Sequence, residues 1–539
     1  MEILLIVPKY TYNNLTKNAS YQYAPPIGLA YISSVLKKEG YHVDCFNLNH
    51  LNGSVEDLVR HKLDSKKYDL VLSGHMGLGY LMIEKIIDCV HSHPSKPKVV
   101  IGGALITSEP ELMANNLKFD FGIVGEGEVT IVELIKALEK KRSLDSVDGL
   151  IYRKDGKPVF TKTRMPIDNL DSLPFPDYDG LELDKQLDHM DSGILYHYFD
   201  FPRAYTLLGS RGCPFSCTFC YHTLGDKRYR VRSIKNITEE IRLAIKKYKI
   251  NSFWLNDDMF ASNKKRMYEF CKEMKKIIKE TPWKFKWGCS APVTAVDRET
   301  LLELKEAGCY FVGFGFESYS PTVLKSMKKP ITPEQIDKTI KLCMELKMPI
   351  VGNFIFGDVA ETKKTYHETL DYWKKNCKGQ VQLHFIHPYP NSEIYQHCLK
   401  QGIIKDKLDY IKNHIHHTNL MNMTKMSDKD YKEMVREVLK AKAKYTKYVV
   451  PYKISKMRNG RYDLWVKCPF CKQKINYKNV FLKSKLFYST YPACKNENCH
   501  SRFFICSRAY KLSNQYYTEL DFLRKNYLNI RDNLLRKRV

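Results

Sequence analysis

Two successive blocks of alternating strand-like and helix-like segments do most to limit how this 539-residue chain can fold. In the first block, residues 1–145, short apolar segments such as 2–7 and 99–101 are separated by segments with helical periodicity, such as 28–38. Strands and helices that alternate at this spacing predict βαβ units. We therefore expect the first block to form an α/β domain around a doubly wound parallel sheet.

The second block, residues 201–425, follows a linker over 146–200 and repeats the alternation with longer helices. Thr332 and Gln335 form a capping-box pattern at the start of one of these helices. The repeated βα units predict a partial (β/α)6 barrel, in which functional groups gather at the carboxyl ends of the strands. The strand candidates are residues 204–209, 252–256, 284–290, 310–317, 350–357 and 381–387.

Composition narrows the choice of partners and compartment. The chain has 87 Lys and Arg residues against 60 Asp and Glu, a net charge of +27. This charge favours an anionic partner, such as a phosphorylated metabolite, nucleic acid or an acidic protein, although a lysine-rich genome explains it equally well. No apolar run is long enough for a membrane span and no secretory signal is visible, so we expect a cytoplasmic location. In a reducing cytoplasm the 16 cysteines indicate metal ligands more readily than disulfides.

Three cysteines, Cys213, Cys217 and Cys220, follow the first strand of the second block in the spacing Cys-x3-Cys-x2-Cys. Three thiolates in one tight loop can bind three irons of a cubane cluster. Because no fourth cysteine is nearby in the sequence, one iron keeps an open position that can chelate the amino and carboxylate groups of a methionine moiety. The alternative is a structural zinc knuckle with His222 as its fourth ligand. We favour a [4Fe–4S] cluster.

This segment resembles the signature of the radical S-adenosylmethionine (SAM) superfamily, in which an aromatic residue, here Phe219, precedes the third cysteine. The resemblance covers residues 200–400 or so. It implies that a [4Fe–4S] cluster cleaves SAM reductively and that the deoxyadenosyl radical abstracts hydrogen from a substrate. It also implies an electron donor such as flavodoxin or ferredoxin. The protein's own part is to orient the reacting groups and exclude water.

Later segments extend the resemblance at the ends of the predicted strands. An acidic pair after the second strand resembles the turn near the SAM amino group, and a Glu-Ser pair after the fourth resembles the segment that contacts the ribose and carboxylate. A fifth-strand glycine lies in a segment that resembles the one near adenine. Residues 357–362 depart from the usual Gly-x-Pro-Gly-Glu-Thr, so the loop there can differ in shape. The implied cofactor-binding residues are Phe219, Asp257, Asp258, Glu317, Ser318 and Gly352.

The first block resembles the cobalamin-binding domain that precedes the barrel in one large radical SAM subfamily. That subfamily includes methyltransferases, ring-forming oxidoreductases and enzymes that rearrange carbon skeletons. The resemblance implies cobalamin, although the D-x-H-x-x-G motif for a lower cobalt ligand is absent and His75 is more typical of a packing residue. Glycines at strand ends let a cofactor approach the backbone closely. The candidate contacts are Ser73, Gly102, Gly103, Gly125, Glu126 and Gly127.

Two short-spaced cysteine pairs lie in the basic C-terminal region, residues 426–539. Four thiolates from such pairs predict a closed tetrahedral zinc site, which is structural by default. An auxiliary iron–sulfur cluster is the alternative metal group, and His500 or Cys506 could replace a ligand. Interleaved lysines and aromatic residues could bind nucleic acid, but we favour a solvated basic face over a small core. The predicted ligands of this zinc-ribbon-like site, over 468–499, are Cys468, Cys471, Cys494 and Cys499.

Taken together, these patterns predict a three-part enzyme that transfers a methyl group from methylcobalamin to an unactivated carbon. A radical SAM oxidoreductase, cyclase or rearrangement catalyst without methyl transfer is the alternative. A hypothesis of another class is a zinc-ribbon nucleic-acid-binding protein whose cluster is structural or sensory. A methylthiotransferase is not favoured, because the first block contains only Cys45 and Cys89 where that family needs three cysteines. No motif names the substrate, which the net charge suggests is anionic.

Overall fold

The computed structural model describes residues 1–514 except for 11–18, 77–78, 191–192, 222–227, 258, 416–420, 458–459 and 483. The chain divides into two compact units. The first unit consists of Met1–Met190, Tyr205–Phe260 and His387–Thr418, and the second of Asp191–Ala204, Ala261–Ile386 and Asn419–Val539. Among the described residues, no helix combines the length and the apolar character needed to cross a bilayer. The division into domains at 145, 200 and 425 stays a prediction.

A seven-stranded sheet of order β2-β1-β3-β4-β5-β6-β7 opens the first unit. The first five strands are parallel, whereas β6 and β7 add an antiparallel hairpin at one edge. The chain order reverses between β1 and β3, and open α/β sheets bind ligands at such a point. The strands are β1 (Glu2–Val7), β2 (His42–Asn47), β3 (Leu70–Gly74), β4 (Lys98–Gly102), β5 (Phe121–Ile123), β6 (Leu150–Lys154) and β7 (Lys157–Phe160).

The helices of this part pack in pairs that suit the two faces of a doubly wound sheet. Helix α1 contacts α6, and α2 contacts α3. Burial on both faces explains why β1 is a continuous apolar run rather than an alternating one. The helices are α1 (Ile27–Lys38), α2 (Val55–Asp64), α3 (Tyr80–Ser92), α4 (Ala104–Ser108), α5 (Pro110–Asn116), α6 (Gly127–Glu139) and α7 (Leu183–His189).

The next part of the first unit carries the Cys-x3-Cys-x2-Cys loop. Strand β8 lies beside β11, and the short strands β9 and β10 pair antiparallel with Arg211 opposite Arg230. The loop of the three cysteines therefore leaves and returns through one small hairpin. The elements are β8 (Ala204–Leu207), β9 (Ser210–Arg211), β10 (Arg230–Val231), α8 (Ile234–Tyr248) and β11 (Ser252–Leu255).

Four parallel strands, in the order β12-β13-β14-β15, form the start of the second unit. Helices connect them, and the capping box of Thr332 and Gln335 opens α12 as predicted. The elements are α9 (Lys264–Glu280), β12 (Lys286–Ser290), α10 (Arg298–Glu306), β13 (Cys309–Glu317), α11 (Pro321–Ser326), α12 (Pro333–Glu345), β14 (Ile350–Phe356), α13 (Lys363–Asn376) and β15 (Gln382–Phe385). All six strand candidates of the second sequence block are thus strands.

After β15 the chain adds two helices to the first unit, α14 (Glu393–Lys400) and α15 (Lys407–Asp409). It then returns to the second unit, where helix α16 packs against α13 and two three-stranded sheets follow, of order β16-β21-β20 and β17-β18-β19. These elements are α16 (Asp428–Tyr445), β16 (Tyr448–Val449), β17 (Lys453–Lys456), β18 (Arg461–Lys467), β19 (Lys474–Phe481), β20 (Ser489–Thr490) and β21 (Phe504–Cys506).

Candidate active site

The three predicted cluster ligands lie on the loop that β9 and β10 close. Cys217 is buried, and Cys213 and Cys220 are half-buried, as is Phe219. The Cys220 N–H donates to the Cys217 carbonyl at 3.1 Å, which tightens the last turn of the motif. Three thiols held on one such loop are a donor set that fits three irons of a cubane cluster. His222, the alternative fourth ligand for zinc, lies outside the described residues.

Gly212 determines how the cysteine loop leaves β9. Its φ is +84°, a conformation that side chains rarely adopt, and a Cβ there would lie 2.1 Å from the Arg228 carbonyl oxygen. The backbone on the two sides of the loop is therefore in direct contact where the loop begins. On its other side, the Thr218 carbonyl accepts a 2.9 Å hydrogen bond from the Ile394 N–H at the start of α14. These contacts fix the described part of the loop at Gly212 and at Thr218.

Asp257, which follows β11, is engaged by the segment that leads into the cysteine loop. Its carboxylate accepts hydrogen bonds from the Gly209 N–H at 2.6 Å and from the Ser210 hydroxyl at 2.7 Å, and its exposed fraction is 3%. Asp257 thus joins the end of β11 to the chain between β8 and β9. The sequence assigned it to the SAM amino group, and that contact stays a prediction. Asp258 lies outside the described residues.

Two arginines of the cluster hairpin bind the start of α6, which follows β5. Arg211 donates to Glu128 at 2.6 Å and lies 3.3 Å from Glu126, and Arg230 binds both carboxylate oxygens of Glu126 at 2.9 and 3.0 Å. Burial opposes the ionisation of Glu126, but Arg230 and Arg211 outweigh it and lower the pKa of this carboxyl group. The Ile167 N–H adds a 2.7 Å bond. The hairpin that carries the cysteines is thereby ion-paired to the first sheet.

These ion pairs bear on two predicted cofactor contacts, Glu126 and Gly127. The carboxylate of Glu126 already accepts hydrogen bonds from the Arg230 guanidinium and one backbone N–H and forms an ion pair with Arg211, so it is a structural link as well as a cofactor candidate. Gly127 begins α6, where an added Cβ would lie 3.1 Å from the Ile32 side chain. Sequence reasoning missed Glu128, Arg211 and Arg230. The only sequence signal was the repeated Gly-Glu dipeptide of residues 125–128.

The other cobalamin candidates lie at the carboxyl ends of β3, β4 and β5, along one edge of the parallel sheet. Gly103 and Gly125 both have a φ of +85°, and a Cβ on Gly103 would lie 2.9 Å from the His75 carbonyl. Glycine is thus required for the backbone to turn at this edge. Gly102 has more room, since its Cβ would meet nothing closer than 3.6 Å. Glycines at these strand ends leave room for a large cofactor to approach the backbone.

Ser73 and His75, near the end of β3, have different roles in the structure. The buried Ser73 hydroxyl donates to the Ile6 carbonyl at 2.9 Å and so ties β3 to β1. The His75 ring stacks on Tyr10 with ring centroids 4.6 Å apart, and its Nδ1 lies 2.9 Å from the Met76 carbonyl. Met76 itself is 61% exposed at this edge. The His75 ring thus packs on Tyr10, and its role toward the cofactor stays a prediction.

Neighbouring residues hold the candidate SAM contacts of the second unit in place. Glu317, at the end of β13, has a φ of +61°, and its carboxylate lies 3.1 Å from the Lys329 ammonium. The buried Ser318 hydroxyl lies 3.0 Å from that of Thr369. A Cβ on Gly352 would lie 2.7 Å from the Phe316 ring, so glycine is needed there for packing. The SAM contacts of these residues stay predictions.

Glu361, in the segment that departs from the family pattern, is a buried carboxyl group that sequence reasoning did not single out. Burial raises its pKa to about 8, although a hydrogen bond from Thr365 and one from the Gly357 N–H oppose the rise. The group is therefore largely protonated at neutral pH. It packs where the chain leaves the carboxyl end of β14, the end at which functional groups collect.

The C-terminal cysteines come together as predicted. The Sγ atoms of Cys468, Cys471, Cys494 and Cys499 all lie within 4.8 Å of one another, and no other residue of the described chain joins this group. The set is compatible with zinc. His500 and Cys506, the spare candidates, lie outside it.

Comparison with known proteins gives concordant results. The radical SAM superfamily model matches residues 207–372, and the B12-binding-domain model matches residues 15–135. The chain is 30% identical to the uncharacterized methyltransferase PH0819 of Pyrococcus horikoshii over 75% of its own length and 84% of that protein. It is 28% identical to the anaerobic magnesium-protoporphyrin IX monomethyl ester cyclase of Rubrivivax gelatinosus, over 74% and 70% of the two chains.

Among solved structures, the radical SAM methyltransferase TsrM from Kitasatospora setae, with cobalamin and a [4Fe–4S] cluster bound, has a TM-score of 0.58. The match covers 74% of this chain and 76% of TsrM at 18% identity, and it shows a shared fold. The fold and the cysteine loop define a radical SAM enzyme, and the chain belongs to the subfamily of that superfamily with a B12-binding domain. The family models and the similar structures thus confirm the predicted fold class and the predicted cofactors, which are the [4Fe–4S] cluster, SAM and cobalamin.

Proposed function

We propose that this protein transfers a methyl group to an unactivated carbon of an anionic substrate, using SAM and cobalamin together. The observation that carries the proposal is the ion-paired connection between the two cofactor-binding parts of the first unit. Arg211 and Arg230 flank the cysteine loop, and their partners Glu126 and Glu128 lie at the start of α6, after the carboxyl end of β5. A shared structural connection suits two cofactors that act on one substrate, since reaction requires fixed mutual geometry.

The residues of this chain would hold and orient the reactants. Cys213, Cys217 and Cys220 are proposed to bind the cluster, and Asp257 to position the segment before it. When bound, the cluster and SAM supply a hydrogen-abstracting radical and cobalamin supplies the methyl group. Glu317 and Ser318 are proposed to contact SAM. The turns at the ends of β3, β4 and β5 are proposed to support the cobalamin.

The relatives favour methyl transfer over other radical chemistry, but they include both. PH0819 and TsrM are named as methyltransferases, whereas the Rubrivivax relative is named as a cyclase. A radical cyclase or oxidoreductase is therefore the second candidate function. A low-potential acidic protein such as flavodoxin or ferredoxin is proposed as the electron donor, since the net charge of +27 favours anionic partners. Cytoplasmic conditions keep thiols reduced, as the cysteines proposed to bind the cluster and zinc require.

The test is anaerobic reconstitution of the full chain with iron, sulfide and cobalamin, followed by incubation with SAM and a chemical reductant. We expect bound corrinoid, release of deoxyadenosine and, with a methyl acceptor, S-adenosylhomocysteine. Cys217→Ala should lose the cluster and all SAM cleavage, whereas Cys271→Ala, at a buried cysteine of α9, should keep both. Deoxyadenosine without S-adenosylhomocysteine, across a panel of anionic acceptors, would favour the cyclase or oxidoreductase. Iron without corrinoid would contradict cobalamin-dependent methylation.

A further inference from the structure

The C-terminal cysteine module is built from two turns of matching geometry. Cys468 and Cys471 lie in the turn between β18 and β19, where the Cys468 N–H donates to the Gln473 carbonyl at 2.9 Å. In the second turn, the Cys494 N–H donates to the Ser501 carbonyl at 2.9 Å. Each pair is followed directly by a residue in the left-handed region, Lys472 with a φ of +66° and His500 with a φ of +50°. Both turns thus present two thiols from a tightly folded backbone.

The distances between thiols fit a tetrahedral ion. The Sγ atoms of Cys471 and Cys494 are 3.6 Å apart, and those of Cys468 and Cys499 are 3.9 Å apart. A zinc–sulfur bond of about 2.3 Å in a tetrahedron places ligand sulfurs about 3.8 Å apart. Two of the thiols are buried in a small apolar core of the module. Four thiolates in this geometry leave no position for a substrate, so the site is closed.

The same module is fastened to the amino-terminal ends of two parallel strands in its own unit. Arg502 exchanges two backbone hydrogen bonds with the Gln380 side chain, at 2.7 and 3.2 Å, and its guanidinium donates to the Ile350 carbonyl at 3.2 Å. The Tyr491 hydroxyl donates to the Gly379 carbonyl at 3.1 Å and accepts from Gln382 at 2.9 Å. Ile350 and Gln382 are the first residues of β14 and β15.

The anchoring residues flank the second cysteine turn directly. Arg502 lies three residues after Cys499, Tyr491 lies three residues before Cys494, and the Arg502 guanidinium stacks 3.9 Å from the Tyr491 ring. A bridge between Ala493 and Arg502 closes the turn at its base. An ion that fixes this turn therefore also fixes the two side chains that hold the strand ends. The candidate SAM residue Glu317 and the buried Glu361 lie at the opposite, carboxyl ends of the strands.

We propose that the four cysteines bind one structural Zn²⁺ ion and that this ion locks the module onto the amino-terminal ends of β14 and β15. The module is then a metal-dependent clamp on the radical SAM strands. It does not take part in binding the substrate at their carboxyl ends. Without the ion, four thiols that sit within 4.8 Å of one another would no longer be held together, and the turn of Arg502 would loosen.

The experiment measures zinc per chain and hydrogen exchange in the anaerobically purified full-length protein. Cys471→Ser is the main variant, because Cys471 is the exposed member of the group and its loss disturbs the core least. Cys506→Ser is the matched control, at a buried cysteine of the same module outside the group. We expect one zinc per chain in the unchanged protein and in the control. In Cys471→Ser we expect zinc to be lost and exchange at 349–352 and 379–383 to accelerate about tenfold.

Further variants separate the clamp from the metal and from the reaction. Arg502→Met should keep the zinc yet accelerate exchange at the same strand ends. Cys217→Ala should lose iron and keep zinc, so failure of the proposed radical chemistry leaves this inference standing. Iron that stays bound in Cys217→Ala and is lost in Cys471→Ser would overturn the assignment to zinc. Loss of zinc without faster exchange at 349–352 and 379–383 would overturn the clamp.

Discussion

The guanidinium of Arg211 donates a 2.6 Å hydrogen bond to the carboxylate of Glu128, and this bond joins the strand before the first cluster cysteine to the helix after β5. Glu128 is buried, and the charge of Arg211 compensates for its removal from water. In turn, burial lowers the pKa of Arg211, but Glu128 and Glu126 outweigh this effect and raise it above its usual range. Arg211 therefore keeps its positive charge beside the Glu128 carboxylate.

Removal of one partner should be far more harmful than removal of both. Arg211→Met leaves Glu128 buried without its cation, and we expect the free energy of unfolding to fall by about 3–5 kcal/mol. Arg211→Met combined with Glu128→Gln should recover part of that loss, because no unpaired charge remains. Denaturant titrations of the anaerobic protein measure both effects. Arg298→Met, which breaks the exposed pair with Glu345, is the control and should change stability by less than about 1 kcal/mol. If Arg211→Met and Arg298→Met lowered the free energy of unfolding equally, the buried ion pair would be no more important than the exposed one, contrary to this prediction.

Asp257→Asn should weaken cluster retention. The amide replaces one acceptor oxygen with a donor, so either the Gly209 N–H or the Ser210 hydroxyl loses its acceptor. A buried polar group left unpaired costs about 1–3 kcal/mol, and we expect iron to be lost to a chelator about tenfold faster. Asp371→Asn, at an exposed position of α13, should retain the cluster normally. If Asp257→Asn keeps its iron but binds SAM less tightly, the carboxylate contacts SAM, as the sequence predicted.

Gly212→Ala should prevent the cysteine loop from closing. The new Cβ meets the Arg228 carbonyl oxygen at 2.1 Å, a clash with backbone that no rotamer can relieve. The left-handed conformation adds about 1–2 kcal/mol. Gly156→Ala separates the two effects, because Gly156 has a φ of +77° and nothing within 4 Å of its added Cβ. After reconstitution, Gly156→Ala should contain as much iron per chain as the unchanged protein, and Gly212→Ala should contain almost none. A normal iron content in Gly212→Ala would contradict the prediction, because it would mean that the loop can rearrange to accept the new Cβ.

Local patterns in the sequence predicted most of the parallel strands and singled out the seven cysteines that are proposed as metal ligands. Buried parallel strands are continuous apolar runs, so β1 and β4 are visible without any knowledge of their neighbours. The cysteine motifs are also local, because each turn supplies two or three thiols within a few residues. The two small C-terminal sheets were missed, although the alternating burial of Tyr462, Leu464 and Val466 follows the period of two that a strand requires.

What depended on distant partners could not be predicted. Arg211 and Glu128 are 83 positions apart, and nothing in either neighbourhood distinguishes them from other charged residues. The β6–β7 hairpin lies in a segment interpreted as a linker, although Asp155 and Gly156, both with positive φ, form the Asp-Gly turn that favours a hairpin. Ser73 was assigned to a cofactor from its position alone; its hydroxyl also bonds to the neighbouring strand, a contact that the sequence does not reveal, and the cofactor contact stays a prediction. Position at a strand end indicates a site, but hydrogen bonds decide what each side chain does there.

Glu361 should make the stability of the second unit depend on pH. Burial raises its pKa to about 8, helped by the nearby charge of Asp358, whereas the ordinary value of 4.5 applies to the unfolded chain. A carboxyl group whose folded-state pKa is raised stabilises the fold fully below its unfolded pKa. That contribution is lost as the pH rises to the folded-state value. Glu361→Gln keeps an acceptor for the Gly357 N–H and cannot ionise. We therefore expect the free energy of unfolding of the unchanged protein to fall by a few kcal/mol relative to that of Glu361→Gln between about pH 5 and pH 8. Above about pH 8 the difference should stay constant.

Denaturant unfolding at several pH values measures this difference. Glu299→Gln, at an exposed position of α10, is the control and should follow the unchanged protein at every pH. Parallel stability curves for the unchanged protein and Glu361→Gln would show that Glu361 ionises normally in the folded state. In that case its hydrogen bonds from Thr365 and the Gly357 N–H would outweigh its burial. A stability difference between the unchanged protein and Glu361→Gln that grows as the pH rises would instead show that Glu361 is protonated at neutral pH beside the carboxyl end of β14.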